Sequence, residues 1–121
     1  IVCLGIGENG HIAFNDPDVA NFNDHKLVKI VKLDHVCRQQ QVNEKCFETL
    51  EQVPTEALTL TIPALLKAKW MFCIVPFKNK AQAVYRTIHG DISEKCPASI
   101  LRRKEKSSLY LDTESAQLLN L

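Results

Sequence analysis

Features that would assign a chain to a membrane or to nucleic acid are absent from this 121-residue sequence. No apolar run comes near the ~18 residues of a membrane-spanning helix, and no segment has the pattern of a secretory signal. We therefore expect a cytoplasmic protein without a membrane partner. The formal net charge of +1 argues against a dedicated nucleic-acid surface. The basic clusters at residues 26–32 and 102–106 are interrupted by apolar or acidic residues, so we interpret them as solvated faces.

The cysteine patterns of disulfide frameworks and zinc sites are also missing. The five cysteines are odd in number and contain no CxxC spacing, so neither kind of site is predicted. Cys3 and Cys73 lie in apolar runs, where reduced and buried thiols are expected. We predict no metal and no cofactor. The chain does have 45% hydrophobic residues, which is enough for the core of a single domain at residues 1–121.

The segment GIGENGHIAFNDP, at residues 5–17, carries the most chemical information. It follows an apolar run that has the pattern of a buried strand end. Its glycines let backbone N–H groups come close to a ligand without a side chain in the way. His11 is the side chain best suited to moving protons near neutral pH, and Asp16 is placed to orient it or stabilise its charge. This pattern is typical of a small-molecule active-site loop.

Two other interpretations of this loop remain open at this point. Gly5, Gly7 and Gly10 match the GxGxxG fingerprint of dinucleotide folds, which requires a helix to begin at the third glycine. Pro17 disfavours a helical conformation at Asp16, so no helix of useful length fits there. The plainer interpretation is a glycine-rich turn that contains a structural histidine.

Strand and helix patterns alternate along the chain. Strands are predicted at residues 1–6, 26–32, 57–62 (or a buried turn), 70–75 and 107–111. Helices are predicted at residues 34–47 with Asp34 as the cap, from Pro63, at residues 80–89 with Gly90 as the stop, from Pro97, and in the tail. The apolar run at residues 70–75 is typical of a strand covered on both faces. The alternation predicts an α/β fold with a largely parallel sheet.

The string LGIGENGHIAFNDP at residues 4–17 resembles the signature of the glucosamine-6-phosphate deaminase family, also called glucosamine-6-phosphate isomerases. Further matches follow in family order: VPTEALTL at residues 53–60, the lysine segment at residues 80–84, and CPASIL at residues 96–101. The resemblance implies a Rossmann-like three-layer sheet. It also implies that the chain is the carboxyl-terminal half of a deaminase domain. In the family, the other half carries a phosphate loop and the aspartate that abstracts the C2 proton.

The activity implied by the resemblance is conversion of glucosamine or galactosamine 6-phosphate to a ketose 6-phosphate and ammonia. Such an enzyme is a hydrolase and aldose–ketose isomerase of amino-sugar catabolism; a homo-oligomer is compatible with it. His11 matches the family's ring-opening histidine, Asp16 a position often held by glutamate, and Asn9 a position often held by aspartate. We expect these three to be catalytic. The Asp16 carboxylate would stabilise the imidazolium and hold its tautomer, and the Asn9 amide, which cannot ionise, would orient either the histidine or a substrate hydroxyl. Aspartate is one methylene shorter than glutamate, so a direct hydrogen bond to His11 requires the loop to close up.

Three further residues are expected to bind substrate. Gly7 belongs to the loop that approaches the ligand. Lys80 matches the family's phosphate-side lysine and begins a predicted helix, where free N–H groups and the helix dipole favour an anion; the alternative is an exposed first-turn lysine. Arg38 lies in a helix that carries two arginines in the family, but ungapped alignment puts Asn43 at the phosphate position. A surface or lid ion pair is therefore the alternative for Arg38.

Two other functions stay open beside deamination. The first is a 6-phosphogluconolactonase-like hydrolase, which shares the Gly-x-Gly-x-Asp-Gly-His opening; the continuation at residues 13–17, AFNDP, has the deaminase form. The second is a non-catalytic sugar-phosphate-binding module of the kind found in some transcription regulators. An upstream helix-turn-helix would favour that module, and an upstream proton-abstracting aspartate would exclude it.

Overall fold

The computed structural model describes residues 1–121 and contains one parallel sheet and one separate antiparallel pair of strands. The strands are β1 (Val2–Leu4), β2 (Val28–Lys32), β3 (Glu56–Leu60), β4 (Met71–Val75) and β5 (Ser107–Leu111). The parallel sheet has the order β1-β4-β5, and β2 pairs with β3. The helices are α1 (His35–Asn43), α2 (Ile62–Leu66) and α3 (Ala81–His89). Short 3-10 helices lie at Leu50–Gln52, Lys78–Lys80 and Pro97–Arg103.

The predicted α/β class with a parallel sheet is confirmed, but β2 and β3 lie outside that sheet. They form an antiparallel ladder in which Val28 faces Leu60 and Ile30 faces Leu58. Strand–helix alternation yields a parallel pair only when the connecting helix packs on the sheet. The helix between these strands, α1, is mostly polar and buries only Cys37 and Gln40. It therefore cannot serve as the apolar crossover that a parallel pairing requires.

The hydrophobic core lies against one face of the parallel sheet. Met71, Cys73 and Val75 alternate into it from β4 and are at most 1% exposed. Their partners come from α2, from α3, from the 3-10 helix Pro97–Arg103, and from the loop after β1. Cys73 is buried as predicted. Burial raises the pKa of its thiol to about 12, so the thiol stays protonated.

The other face of the parallel sheet is open in this chain. Ile74 is 50% exposed and Tyr110 53%, and the two are register partners on that face. Cys3, on the same face, is exposed. The predictions that residues 70–75 form a strand covered on both faces and that Cys3 is buried are therefore wrong. Apolar composition indicates that a strand belongs in a sheet, but covering each face depends on elements far away in sequence.

Most of the predicted helix boundaries are confirmed. Asp34 caps α1, because its Oδ1 accepts a hydrogen bond from the Cys37 N–H at 2.7 Å. This helix ends at Asn43, earlier than the predicted residue 47. Pro63 lies in the first turn of α2, and Gly90 follows the end of α3. The helix predicted from Pro97 is present as a 3-10 helix.

The prediction of a helical tail is wrong, because residues 113–118 form turns. The Ser115 N–H donates to Asp112 Oδ1 at 2.7 Å, and the Ser115 hydroxyl donates to the Asp112 carbonyl at 3.3 Å. The first of these bonds has the geometry of a helix N-cap, as at Asp34. The later backbone bonds, from Gln117 to the Glu114 carbonyl and from Leu119 to the Ala116 carbonyl, span only three residues, so turns follow and no α-helix propagates.

The arrangement of the parallel strands positions a site at their carboxyl ends. β1 and β4 are neighbours, so the glycine loop after β1 and the loop after β4 meet at one edge of the sheet. Open α/β sheets bind ligands at this edge. The prediction that no helix follows Gly10 is confirmed, since residues 11–34 contain no helix. None of the helices has the length and apolar character needed to cross a bilayer.

Candidate active site

A cleft of about 350 Å³ lies at the carboxyl ends of β1 and β4. The glycine loop and His11 form one wall, and residues 74–77 with Lys80 form another. Gln40 and Glu44 enter it from α1. Of the residues predicted from sequence, Gly7, His11 and Lys80 line the cleft directly. Asn9 and Asp16 lie behind His11 and contact its ring.

The glycines of the loop bring His11 into position. The Gly7 N–H donates to the His11 carbonyl at 2.9 Å, and any side chain at Gly7 would overlap the imidazole ring. Gly10 has φ +86°, a conformation that side-chain-bearing residues rarely adopt, and its N–H donates to the Gly7 carbonyl at 2.9 Å. These glycines therefore fold the loop tightly around a histidine. Without a following helix, they do not form a pyrophosphate-binding turn.

Asn9 determines which nitrogen of His11 carries the proton. The Asn9 Nδ2 donates to Asp16 Oδ1 at 3.1 Å and to Asp34 Oδ2 at 2.6 Å. Because the amide NH₂ faces two carboxylates, its Oδ1 must face the histidine, where it lies 2.6 Å from Nδ1. His11 Nδ1 is therefore the donor. The other ring nitrogen, Nε2, has no protein partner and is available as a proton acceptor.

Asp16 supplies a fixed negative charge beside this histidine. It is completely buried, and its Oδ1 lies 3.1 Å from His11 Nδ1. Asp16 therefore contacts His11 directly, although aspartate is one methylene shorter than the glutamate often found at this position. Burial by itself would raise the pKa of Asp16, but hydrogen bonds from His11, the Asp34 backbone and Asn9 bring it below the ordinary value of 3.8. The carboxylate is thus ionised at neutral pH. A negative charge at this position is suited to stabilising an imidazolium at His11.

Cys37 completes a buried cluster with His11 and Asp16, whose potential metal-ligand atoms all lie within 4.8 Å of one another. A metal would require the thiolate. Burial and the charges of Asp16 and Asp34 raise the pKa of the Cys37 thiol to about 12. The Asp16 oxygens and His11 Nδ1 are already engaged in hydrogen bonds with each other and with neighbouring groups. The cluster therefore functions best as a hydrogen-bonded support for the imidazole.

Lys80 places a positive charge on the opposite side of the cleft. It is the residue that precedes α3 and is only 6% exposed, so the alternative of an exposed first-turn lysine does not hold. Within 4.0 Å its only carboxylate partner is Glu44, whose Oε1 lies 3.5 Å from Nζ. This distance is too long for a strong hydrogen bond, so the ammonium retains donors for an anion in the cleft.

Gln40 and Glu44 are site residues that the sequence analysis missed. The Gln40 Oε1 accepts from the Glu8 N–H at 3.0 Å, and its Nε2 donates to Glu44 Oε1 at 2.9 Å. Through these two bonds, Gln40 on α1 connects the glycine loop to Glu44, the residue that contacts Lys80. Gln40 and Glu44 are four residues apart in a predicted helix, and this spacing indicates that the two side chains share one helix face. The sequence did not show that this face meets the cleft.

The structure does not bring Arg38 into the cleft. Its Nη2 donates to the carbonyls of Leu50 and Val53 at 2.9 and 3.1 Å, beside the 3-10 helix Leu50–Gln52. Residues two apart on a helix point in nearly opposite directions, so Arg38 cannot share the face of Gln40. The contacts of Arg38 are those of a structural residue that binds the carbonyls of a neighbouring loop.

A parallel sheet with a cleft at the carboxyl ends of its strands, lined here by His11 and Lys80, is typical of α/β proteins that bind small ligands at this edge. The sequence profile of one such family, described as glucosamine-6-phosphate isomerases/6-phosphogluconolactonase, matches residues 1–110. The chain belongs to this family, and the resemblance noted in the sequence is confirmed.

Curated relatives in this family include glucosamine-6-phosphate deaminases from bacteria. The protein of Halalkalibacterium halodurans is 38% identical over 114 residues, which is 94% of this chain and 44% of the relative. The protein of Bacillus cereus strain B4264 is 41% identical over 115 residues, which is 95% of this chain and 42% of the relative. The chain thus spans less than half the length of these relatives. Its assignment to their carboxyl-terminal half stays a prediction.

Solved structures of similar shape come from both branches named in the family's description. A monomeric glucosamine-6-phosphate deaminase superimposes with a TM-score of 0.87 at 37% identity, covering 96% of this chain and 46% of that one. The 6-phosphogluconolactonase of Leishmania guyanensis gives a TM-score of 0.70 at 21% identity, covering 99% of this chain and 41% of that one. The second likeness reflects the shared fold.

Proposed function

We propose that this chain provides the ring-opening histidine and the phosphate-binding lysine of an amino-sugar 6-phosphate deaminase/isomerase. The observation that carries the proposal is the position of His11, which faces a cleft with a free Nε2 while Asn9 and Asp16 hold its other nitrogen. The buried Lys80 on the other side supplies a site for an anion. The names of the relatives support glucosamine 6-phosphate as the substrate class.

In this proposal His11 exchanges a proton between the O1 hydroxyl and the ring oxygen of the cyclic sugar. Nε2 accepts the O1 proton, the C1–O5 bond breaks, and the imidazolium returns the proton to O5. Asp16 stabilises the transient positive charge, and Asn9 keeps the proton of the neutral ring on Nδ1. Because Gly7 has no side chain, the loop can approach the sugar closely. Water then replaces the amine after the C2 proton has moved to C1, which makes the overall reaction both an isomerisation and a hydrolytic deamination.

Transfer of the C2 proton needs a second base, which we assign to a residue outside this chain. Glu44 is the carboxylate that lines the cleft, and it is engaged by Lys80 and by the Gln40 amide. Asp16 is completely buried behind His11. Neither is a free base facing the substrate. The resemblance places an aspartate with this role in the other half of family members.

The lactonase alternative makes a different use of the same groups. A lactonase needs the histidine to activate water against an ester carbonyl, and it releases no ammonia. The solved lactonases resemble this chain only at the level of fold, at identities of 15–22%. The relatives at 35–41% identity are named deaminases, which favours the first function.

Ammonia release independent of added metal or nucleotide is the first expected result. The protein that contains this chain should release ammonia from glucosamine 6-phosphate at the same rate before and after treatment with a chelator. The proton transfers require only side chains. A coupled ammonia assay measures the rate, and a parallel assay on 6-phosphogluconolactone tests the alternative. Activity that is lost on chelation and restored by zinc or magnesium would overturn the proposal, as would lactone hydrolysis without ammonia release.

Replacement of Glu44 should strengthen anion binding. Its carboxylate competes with an incoming anion for Lys80, whereas a glutamine retains the hydrogen-bonding shape without the charge. Glu44 is partly exposed, so we expect Glu44→Gln to lower the Kd for inorganic phosphate by about two- to fivefold, ~0.4–1 kcal/mol. Isothermal titration of phosphate into the protein that contains this chain measures the Kd.

The matched control is Glu105→Gln, which makes the same change of charge at an exposed position before β5, at the opposite end of the sheet. It should leave the phosphate affinity unchanged. A weaker affinity in Glu44→Gln would show that the carboxylate positions Lys80 for the anion and does not compete with it.

A further inference from the structure

Phe77 adopts a backbone conformation that is unusual for any residue with a side chain. Its φ is 79° and its ψ is 147°, close to a region of conformational space that only glycine enters without strain. Positive φ values also occur at Ala13 and Lys45, at 51° and 60°, near the left-handed helical value. Phe77 follows β4 at the edge of the cleft and lies three residues before Lys80.

Hydrogen bonds on both sides hold Phe77 in this conformation. Its N–H donates to Asp112 Oδ2 at 2.9 Å, and its carbonyl accepts from the Lys80 N–H at 3.1 Å. Asp112 is itself fixed, since its Oδ1 accepts from the Ser115 N–H at 2.7 Å. Strained residues persist where the surroundings over-determine them, and they concentrate at ligand clamps.

Burial does not explain why a phenylalanine occupies this position. The side chain is 63% exposed, although it lines the cleft together with Pro76 and Lys80. A large apolar ring left in water contributes little to the core. The strain is therefore not offset by burial within this chain, whereas a ligand in the cleft would cover the ring.

We propose that Phe77 is a ligand-contacting residue that packs its ring against the apolar C–H face of a sugar whose phosphate binds Lys80. The inference rests on the proposed function and adds a determinant of specificity to it. The electron-rich face of an aromatic ring attracts C–H groups polarised by neighbouring oxygens, and phenylalanine has few rotamers to lose on binding. Because Phe77 and Lys80 share one short loop, a single ligand reaches both, with its phosphate at the lysine and its carbon skeleton at the ring.

Two substitutions at Phe77 distinguish the effect of losing the ring from the effect of relieving the backbone strain. Phe77→Gly and Phe77→Ala both remove the ring, but only glycine also relieves the backbone. We expect Phe77→Gly to melt at a higher temperature than wild type and than Phe77→Ala. In the protein that contains this chain, both variants should bind glucosamine 6-phosphate about three- to tenfold more weakly, as loss of an aromatic contact predicts. Both should bind inorganic phosphate as wild type does, and Phe77→Trp should retain the affinity for the sugar phosphate.

The outcomes distinguish this inference from the proposed function. If wild type binds both probes and the two ring-deleted variants bind glucosamine 6-phosphate normally, the ring contact is refuted and the proposed function stands. If Phe77→Gly melts below wild type, Phe77 is a structural residue and the inference is overturned. If wild type binds inorganic phosphate but not glucosamine 6-phosphate, the proposed function fails, and the ring contact fails with it.

Discussion

Replacement of His11 by glutamine is expected to lower turnover on the cyclic substrate by roughly 10²–10⁴-fold, the usual worth of a positioned general acid–base. Glutamine can hydrogen-bond toward Asn9 and Asp16 but cannot carry a proton between O1 and the ring oxygen. The Michaelis constant should change much less, because the phosphate supplies most of the ground-state affinity. Steady-state rates of ammonia release by the protein that contains this chain measure both quantities.

Two companion variants make the His11 result specific. His25→Gln changes an exposed histidine and should leave turnover unchanged. Asp16→Asn removes the charge that stabilises the imidazolium while His11 can still accept a proton, so its loss should be smaller than that of His11→Gln. Normal turnover combined with lost affinity in His11→Gln would make the histidine a binding residue and refute the assigned role.

The second large effect is expected at Lys80. A charge-assisted hydrogen bond to phosphate is worth about 1.5–3 kcal/mol, so Lys80→Met should raise the Michaelis constant for the sugar phosphate by roughly ten- to a hundredfold. Methionine matches the buried stem of the lysine, and Glu44 keeps its solvent exposure, so the fold should tolerate the change. A non-phosphorylated amino sugar, which has no phosphate to contact Lys80, should be almost unaffected.

Arg38→Met is the matched control, because it removes a cation from the same region of the protein. The guanidinium binds the carbonyls of Leu50 and Val53, so its loss should lower the melting temperature without a phosphate-selective effect on the Michaelis constant. Equal weakening of phosphorylated and non-phosphorylated substrates in Lys80→Met would mark the lysine as structural. A phosphate-selective loss in Arg38→Met alone would identify Arg38 as the phosphate ligand.

The centre of the site was predictable because its parts are close together in the chain. Gly7, Asn9, His11 and Asp16 lie within ten residues, and a tight glycine turn brings their polar atoms together wherever the loop is placed. Lys80 was predictable for a related reason, since the apolar strand before it and the helix after it position it at the edge of the sheet. The contact between Asn9 and Asp34 joins residues 25 positions apart, and no local sequence pattern predicts it.

Predictions from the sequence were incomplete or wrong where the same local pattern is compatible with more than one tertiary arrangement. The helix that carries Arg38 was predicted, but its rotation about its own axis was not, and that rotation turns Gln40 and Glu44 into the cleft and Arg38 away from it. The alternation of strands and helices did not reveal that β2 and β3 pair only with each other. Phe77 carries no sequence signal of strain, because its conformation is imposed by Asp112, 35 residues further on.

The sequence by itself determined the glycine loop around His11, the cap at Asp34 and membership of the family, because each depends on short segments whose conformation follows from sterics and local hydrogen bonds. Only the tertiary structure decided which charges face the cleft, which face of the sheet carries the core of this chain and how Phe77 is held. Those features depend on the packing of elements far apart in the chain, and packing selects one rotation and one register from several that the local sequence permits equally well.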